Sequence, residues 1–194
     1  TFVTLSPIPR FRKWLNDKLR QEVGGHFFDE TVLSEEDKKS LVSAKLLSVD
    51  NGGSIPWDSL WRLLNEEIDY TQLGSEGSLS SGNGDRRLDE NQRSILQSVL
   101  TKLTVRYLCS EKHRGRPLDA VCRFHVGNGA EVYRVNFVAD PSRKGVESSF
   151  GMMVNYLYSL DHIQHNQAMY ENDFVIPISP DVQSWIDQTN NPIR

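Results

Sequence analysis

The run Leu5-Ser6-Pro7-Ile8-Pro9 places two prolines one residue apart, directly after a hydroxyl side chain. Each proline fixes its own φ and biases the residue before it toward an extended backbone. Ser6 and Ile8 are therefore stiff and extended. Phe2, Val3 and Leu5 read as the tail of a buried strand. Ser6 stands at the rigid end of that segment, where α/β folds place chemistry. A plain turn serine or a helix N-cap fits the same residues.

A second run, Arg123-Phe124-His125-Val126-Gly127-Asn128-Gly129-Ala130, lies far downstream. It puts an imidazole just before a glycine-rich turn, and only a fold could bring it to Ser6. A half-buried histidine beside Phe124 and Val126 is an equally ordinary reading. Together, the hydroxyl, the imidazole and the Asn-Gly turn have the makings of a site.

Composition removes several function classes. Net charge is −4, which argues against a nucleic-acid partner, since phosphate binding needs a basic face. No apolar run approaches the ~20 residues that cross a bilayer, so no membrane partner is expected. At 194 residues the chain fits one domain or most of one, and its 38% hydrophobic content is somewhat below the globular average of roughly 45–50% counted with glycine. Cys109 and Cys122 match neither a zinc spacing nor a disulfide framework and read as reduced, buried thiols. His162 and His165 could suit a metal by spacing, but no third ligand is near and a solvated helix face explains them. No metal is expected.

The pattern along the chain is mixed α/β with a large helical share. Residues 10–23 read as an amphipathic helix with Phe11, Trp14, Leu15 and Leu19 on one face. Ser34 and Asp37 open a helix to about Leu47, which Asn51-Gly52-Gly53 ends. Leu60, Trp61, Leu64 and Ile68 give a third helical stripe from about residue 57. The Gly/Ser-rich stretch 74–84 reads as a flexible loop. Asp89 caps a long helix with Ile95, Leu96, Val99, Leu100, Leu103 and Leu108 facing the core. After the Asn-Gly turn, residues 131–139 alternate as a strand, with Tyr133, Val135, Phe137 and Ala139 on one face. Asp140-Pro141-Ser142 starts a helix expected to reach about Leu160, and Ser179-Pro180-Asp181 starts a last short one.

These runs resemble the catalytic domain of the malonyl-CoA decarboxylase family. The matching stretches are Thr4 to Pro9 with Phe11 and Trp14-Leu15, Arg106-Tyr107-Leu108, and Glu111 to Gly115. They continue through Leu118-Asp119, Phe124-His125, Asn128-Gly129-Ala130, Asn136, Ala139-Asp140, Gly145, Gly151 and Met153 to Tyr158. The resemblance is strong over 1–25 and 100–160 and weak over 26–88. Two departures stand out: Arg10 where the family usually has glycine, and Phe137 where it usually has tryptophan.

The resemblance implies an α/β (mixed α+β) fold, the C-terminal portion of an acetyltransferase-like (GNAT-type) catalytic domain. Residues 26–88 would be a helical insertion, with the loop at 74–84. Because Thr1 already lies in a strand, a helical domain and the front half of the catalytic domain are expected upstream, with the CoA-gripping loop. This stretch by itself is expected to show little activity. The resemblance also implies malonyl-CoA as substrate, decarboxylated to acetyl-CoA and CO2 in the control of fatty acid metabolism. No cofactor is implied. A homo-oligomer of the full-length enzyme is implied, inside the cell in the mitochondrial matrix, cytoplasm or peroxisome. The C-terminal Asn191-Pro192-Ile193-Arg194 is not a Ser-Lys-Leu address.

Carried to matching positions, the family's catalytic residues are Ser6, His125 and Tyr158, with Ser6, His125 and Asn128 contacting substrate. Loss of CO2 leaves an enolate on the thioester oxygen. A neutral hydroxyl can orient the carboxylate without over-stabilising its charge, which suits Ser6. A histidine titrating near neutrality can protonate the α-carbon, which suits His125. Tyr158 would position the histidine, although a core tyrosine explains it equally well. Backbone N–H groups near Asn128-Gly129 could face the enolate. An acyl-CoA-dependent acyltransferase and a non-catalytic assembly fragment are the alternatives.

Overall fold

A computed structural model describes residues 1–20, 32–53, 55, 56, 58–73 and 87–188. The loop expected at 74–84, the end of the first helix at 21–23 and the start of the third at 57 lie outside the described residues. The architecture is mixed α/β. A small antiparallel sheet is surrounded by helices, and β6 (Met153–Tyr158) runs through its centre. Along one edge of β6 lie β1 (Phe2–Val3) and β2 (Ser6–Pro7), and along the other lies β5 (Glu131–Asn136). The chain adds one parallel bridge outside β5, between Val132 and Ile178. Pro7, which has no N–H to offer, is tolerated because its strand is at the sheet edge.

The sheet overturns one expectation. The helix that begins after Ser142 is α7 (Arg143–Ser149), and it stops eleven residues short of the expected end at Leu160. Phe150 takes the left-handed conformation at φ 54° and Gly151 follows at φ 77°, which ends the helix and turns the chain. Residues 153–158 then alternate, with Val154 and Tyr156 buried on one face. β-branched and aromatic residues packed as a central strand outweigh the helical spacing read there.

β5 also differs from the expected face. The pairing of β5 with β6 shifts between Val132 and Arg134, leaving Tyr133 as the extra residue of a bulge. Val132 opposite Tyr156 and Val135 opposite Val154 therefore share the inner face, and Tyr133 is exposed. The strand ends at Asn136, before the expected Ala139, where Val138 turns left-handed at φ 44°.

The early helices follow their caps. α1 (Phe11–Arg20) buries Phe11, Leu15 and Leu19. Arg10 just ahead of it sits at φ 68°, the left-handed region that glycine occupies freely and arginine at a cost of about 1–2 kcal/mol. α2 (Glu35–Ser43) is capped by Ser34, whose Oγ accepts the Asp37 N–H at 3.1 Å and donates to the Asp37 carboxylate at 2.7 Å. It ends at Ser43, not near Leu47, because Lys45 turns left-handed at φ 58°. The N–H groups of Leu46 and Leu47 then return to the Leu41 carbonyl, and both side chains enter the core. α3 (Ser59–Arg62) widens into a π-turn over Leu63–Glu67 and is followed by α4 (Tyr70–Leu73).

α5 (Glu90–Val105) is the longest described helix. Asp89 and Gln92 form a reciprocal capping box at 2.8 and 3.2 Å. Its last turn widens into a π-turn, Arg106–Ser110, which swings Tyr107 into an aromatic cluster. The Tyr107 ring lies 5.7 Å from Phe11 and 5.3 Å from Trp14, and its hydroxyl donates to the Pro9 carbonyl at 3.1 Å. Phe150 meets Phe11 edge-on at 6.2 Å. The Tyr107 bond to Pro9 ties this cluster to the end of the Ser6-to-Pro9 segment. The remaining elements are the hairpin β3 (Lys112–His113) and β4 (Arg116–Pro117), then α6 (Ala120–Gly127), α8 (Ile163–Asp173) and α9 (Pro180–Asp187).

One buried ion pair ties α2 to α5. Lys102 Nζ lies 2.7 Å from Asp37 Oδ1, and both side chains are about nine-tenths covered. Removing one member of such a pair strands the other charge. Lys102→Met is expected to cost about 3 kcal/mol in chemical denaturation, and Lys102→Met with Asp37→Leu to recover at least half of that. A single-variant loss below about 0.5 kcal/mol would show that the pair contributes nothing net.

Candidate active site

Three of the four sequence-derived site residues meet in one place. Ser6 is buried on β2, paired with Val154 of β6. His125 is in the last turn of α6. Tyr158 is the last residue of β6. The Ser6 Oγ lies 3.3 Å from His125 Nε2, and His125 Nδ1 lies 2.8 Å from the Tyr158 hydroxyl. The ring is held at both nitrogens.

The helix carrying His125 has a local cause. Asp119 caps α6, its Oδ1 accepting the Cys122 N–H at 2.7 Å. The helix closes where Gly129 adopts φ 80°. A Cβ there would collide with the Ile163 carbonyl at the start of α8, so this turn requires glycine. Asn128 belongs to that closure. Its N–H donates to the Phe124 and His125 carbonyls, its side-chain amide to Phe124 O at 2.7 Å, and the Gly129 N–H to Val126 O. The backbone donors expected to face an enolate are thus committed to the helix end. Asn128 is not joined to the Ser6–His125–Tyr158 chain.

Sequence reasoning missed Tyr156 and Thr4. Tyr156 is fully buried on β6, and its ring stacks on the His125 imidazole at 4.2 Å with the planes 16° apart. The signal was available in the alternation of 153–158, once that segment is read as a strand. The Thr4 hydroxyl oxygen lies within hydrogen-bond distance of Ser6 Oγ, at 3.0 Å. On the outer side Phe124, 64% exposed, meets the His125 ring edge-on at 5.2 Å.

Burial sets the electrostatics. Desolvation lowers the His125 pKa below the ordinary imidazole value and raises that of Tyr158, so the free site favours a neutral imidazole beside a neutral phenol. Behind Tyr156, burial pushes Asp119 up to about 6, Cys109 up to about 12 and Cys122 well above its usual value. Both cysteines are free and buried. Such thiols are protonated at neutral pH and inert as nucleophiles. Among the described residues, no group of three His, Cys, Asp or Glu side chains could hold a metal ion. His162 and His165 are exposed around the start of α8. No described helix is long and apolar enough to cross a membrane.

Comparison with known proteins places the chain among its relatives. The profile of the malonyl-CoA decarboxylase C-terminal domain matches residues 1–194. The mitochondrial malonyl-CoA decarboxylase of Mus musculus is 34% identical over 190 residues, covering 98% of this chain and 34% of the relative. That of Rattus norvegicus is 33% identical over 187 residues, covering 96% and 33%. The crystal structure of malonyl-CoA decarboxylase from Rhodopseudomonas palustris superposes with a TM-score of 0.63 at 30% identity, covering 95% of this chain and 33% of that one. The Agrobacterium vitis enzyme gives 0.64 at 29% identity, with 95% and 35% covered. The chain spans about a third of the length of these curated relatives. With the malonyl-CoA decarboxylase C-terminal domain matched over the whole of residues 1–194, the chain belongs to the malonyl-CoA decarboxylase family.

Proposed function

We propose that Ser6, His125 and Tyr158 form the reacting end of a site that decarboxylates malonyl-CoA to acetyl-CoA and CO2. The observation that carries this reading is the 3.3 Å approach of Ser6 Oγ to His125 Nε2, across a pairing that only the fold creates. Family membership supplies the substrate class. On this reading the domain is the C-terminal portion of an acetyltransferase-like (GNAT-type) catalytic unit, with 26–88 as its helical insertion. The enzyme works as a homo-oligomer inside the cell, limiting malonyl-CoA in fatty acid metabolism. The mitochondrial names of the mammalian relatives support such a compartment.

The chemistry follows from the groups present. The substrate carboxylate lies against the Ser6 hydroxyl, which orients it without an ion pair that would stabilise the ground state. The C–C bond breaks, CO2 leaves, and its bonding pair becomes the enolate of the thioester. The α-carbon then takes a proton from His125 Nε2. One proton is consumed per turnover, and solvent returns it to the ring. Burial keeps His125 neutral in the free site, and the arriving carboxylate raises its pKa so that the ring is protonated when substrate is bound. Tyr158 holds Nδ1 throughout and fixes the ring's orientation.

In the full-length protein, His125→Asn is expected to lose on the order of 10²–10⁴ in kcat for labelled CO2 release. Ser6→Ala is expected to lose at least about tenfold in kcat with KM changed only a few-fold, because the CoA portion still binds. Near-normal CO2 release by His125→Asn would rule out the assigned role. Acetyl transfer to an amine without CO2 release would favour an acyltransferase instead.

The pH profile gives an independent check. If the protonated ring is the donor, kcat falls as pH rises through the histidine pKa of the complex. The corresponding limb in kcat/KM, which reports the free enzyme, lies below the ordinary histidine value because burial disfavours the charged ring. The kcat limb lies at higher pH than the kcat/KM limb. Both vanish in His125→Asn. A rate that rises with pH through this range contradicts proton donation by the imidazolium.

A further inference from the structure

Two hydroxyls hold the His125 ring at its nitrogens. Nε2 lies 3.3 Å from Ser6 Oγ, and Nδ1 lies 2.8 Å from the Tyr158 hydroxyl. Each hydroxyl can donate or accept, so both accommodate the neutral and the charged ring. Phe124 meets the ring edge-on. Among the described residues only Tyr156 stacks on its face, with centroids 4.2 Å apart and planes 16° apart. The face of an aromatic ring is its negative side and attracts a cation far more than a neutral group. This contact therefore distinguishes the two charge states of His125.

Tyr156 is built to keep that face in place. Its side chain is fully buried. Its backbone is held on both edges of β6, opposite Val132 of β5 and through its carbonyl, which accepts the Thr4 N–H at 3.0 Å. Burial, with Cys122, Asp119 and Cys109 nearby, raises the phenol pKa well above its usual value, so the ring stays neutral and its face keeps its negative character. The surroundings of His125 offer no competing charge. Burial is the cause that displaces its pKa, and it does so downward. Ser6 faces the ring from β2, and Tyr156 and Tyr158 from β6. On α6 itself, Cys122 is buried and Arg123 is exposed, and α8 presents Tyr170 to that helix at Gly127.

We propose that Tyr156 is a positioning residue that favours the charged form of His125, its ring face attracting the imidazolium and so keeping the proton donor loaded and flat against β6. A cation over a buried aromatic face is stabilised enough to raise its pKa by about 0.4–1.5 units. In the free protein that gain offsets part of the burial penalty on the ring. With substrate bound it adds to the pull of the carboxylate, so the ring stays protonated to higher pH. The effect on turnover rests on the decarboxylase reading above. The effect on the charge of the ring is a property of the free protein and is measured apart from it.

The test changes the ring face at nearly constant shape. Two full-length variants are compared: Tyr156→Phe, and protein carrying 3,4,5-trifluorophenylalanine at position 156, introduced by amber suppression. Fluorine draws electron density from the ring face and leaves its size and burial nearly as they were. The His125 pKa is read by NMR titration of histidine-labelled protein without substrate, its signals assigned by their loss in His125→Asn. Tyr156→Phe keeps the ring face and is expected to stay within about 0.3 unit of the unsubstituted protein. The trifluorinated ring is expected to lower the His125 pKa by at least about 0.4 unit from that of Tyr156→Phe. In labelled CO2 release from malonyl-CoA, the high-pH limb of kcat is expected to move to lower pH by a similar amount, with kcat at the low-pH plateau changing less than kcat above the limb. A His125 pKa that does not fall on fluorination overturns the proposal. A uniform loss of kcat with an unmoved limb overturns the role in turnover and makes Tyr156 a packing residue. The fluorination shift in protein that releases no CO2 from malonyl-CoA, the unsubstituted form included, would uphold the effect on charge and sink the decarboxylase reading.

Discussion

The arrangement of the site depends on β6 being paired on both sides. Residues 2–7 lie along one edge in a single register and β5 lies along the other. That strand supplies Tyr156 under the His125 ring and Tyr158 at its Nδ1, and it pairs with the segment that supplies Ser6. Ser6 and Tyr158 therefore cannot move independently. A catalytic geometry is useful only if it is held to a fraction of an ångström, and a hydrogen-bonded strand with a buried face provides that hold more firmly than loops do.

The periphery reinforces the same point. Phe11, Trp14, Tyr107 and Phe150 form one aromatic cluster, and the Tyr107 hydroxyl ties it to the Pro9 carbonyl. Across the site, α6 is fixed at its start by Asp119 and at its end by a glycine that packs on the α8 backbone. Arg12 links α1 to the helices of 59–67 and to α7, through Asn65 at 2.9 Å and the Val146 carbonyl at 3.2 Å, while lying 5.0 Å over the Phe150 ring. The described helices of 59–67 thus brace α1, which follows the segment carrying Ser6, and none of the described residues of the 26–88 region enters the Ser6–His125–Tyr158 chain.

Much of this was legible in the sequence where chemistry is local. The caps at Ser34, Asp89, Ser142 and Ser179 all start helices as their residue types require. The stiffness of Ser-Pro-Ile-Pro was readable from proline alone, and the pairing of Ser6 with His125 from the family resemblance. The failures have a common cause. Helix ends set by left-handed Lys45 and Phe150 carry no glycine signal at the residue itself. The bulge at Tyr133 flips the inward face of β5, a change that periodicity alone cannot see. The strand 153–158 was hidden because its residues also satisfy a helical spacing, and only pairing on both edges decides for the sheet. Thr4 and Tyr156 could not be found without that strand.

The central claim is that Ser6 and His125 act on one substrate as a unit, and a double-mutant cycle on kcat tests it most directly. Labelled CO2 release from malonyl-CoA is measured for the full-length protein, Ser6→Ala, His125→Asn and the double variant. Strong non-additivity is expected, with the double variant no more than about threefold slower than the slower single variant. Losses that simply multiply would mean that the two residues contribute independently, and the 3.3 Å contact between them would then be incidental to the chemistry.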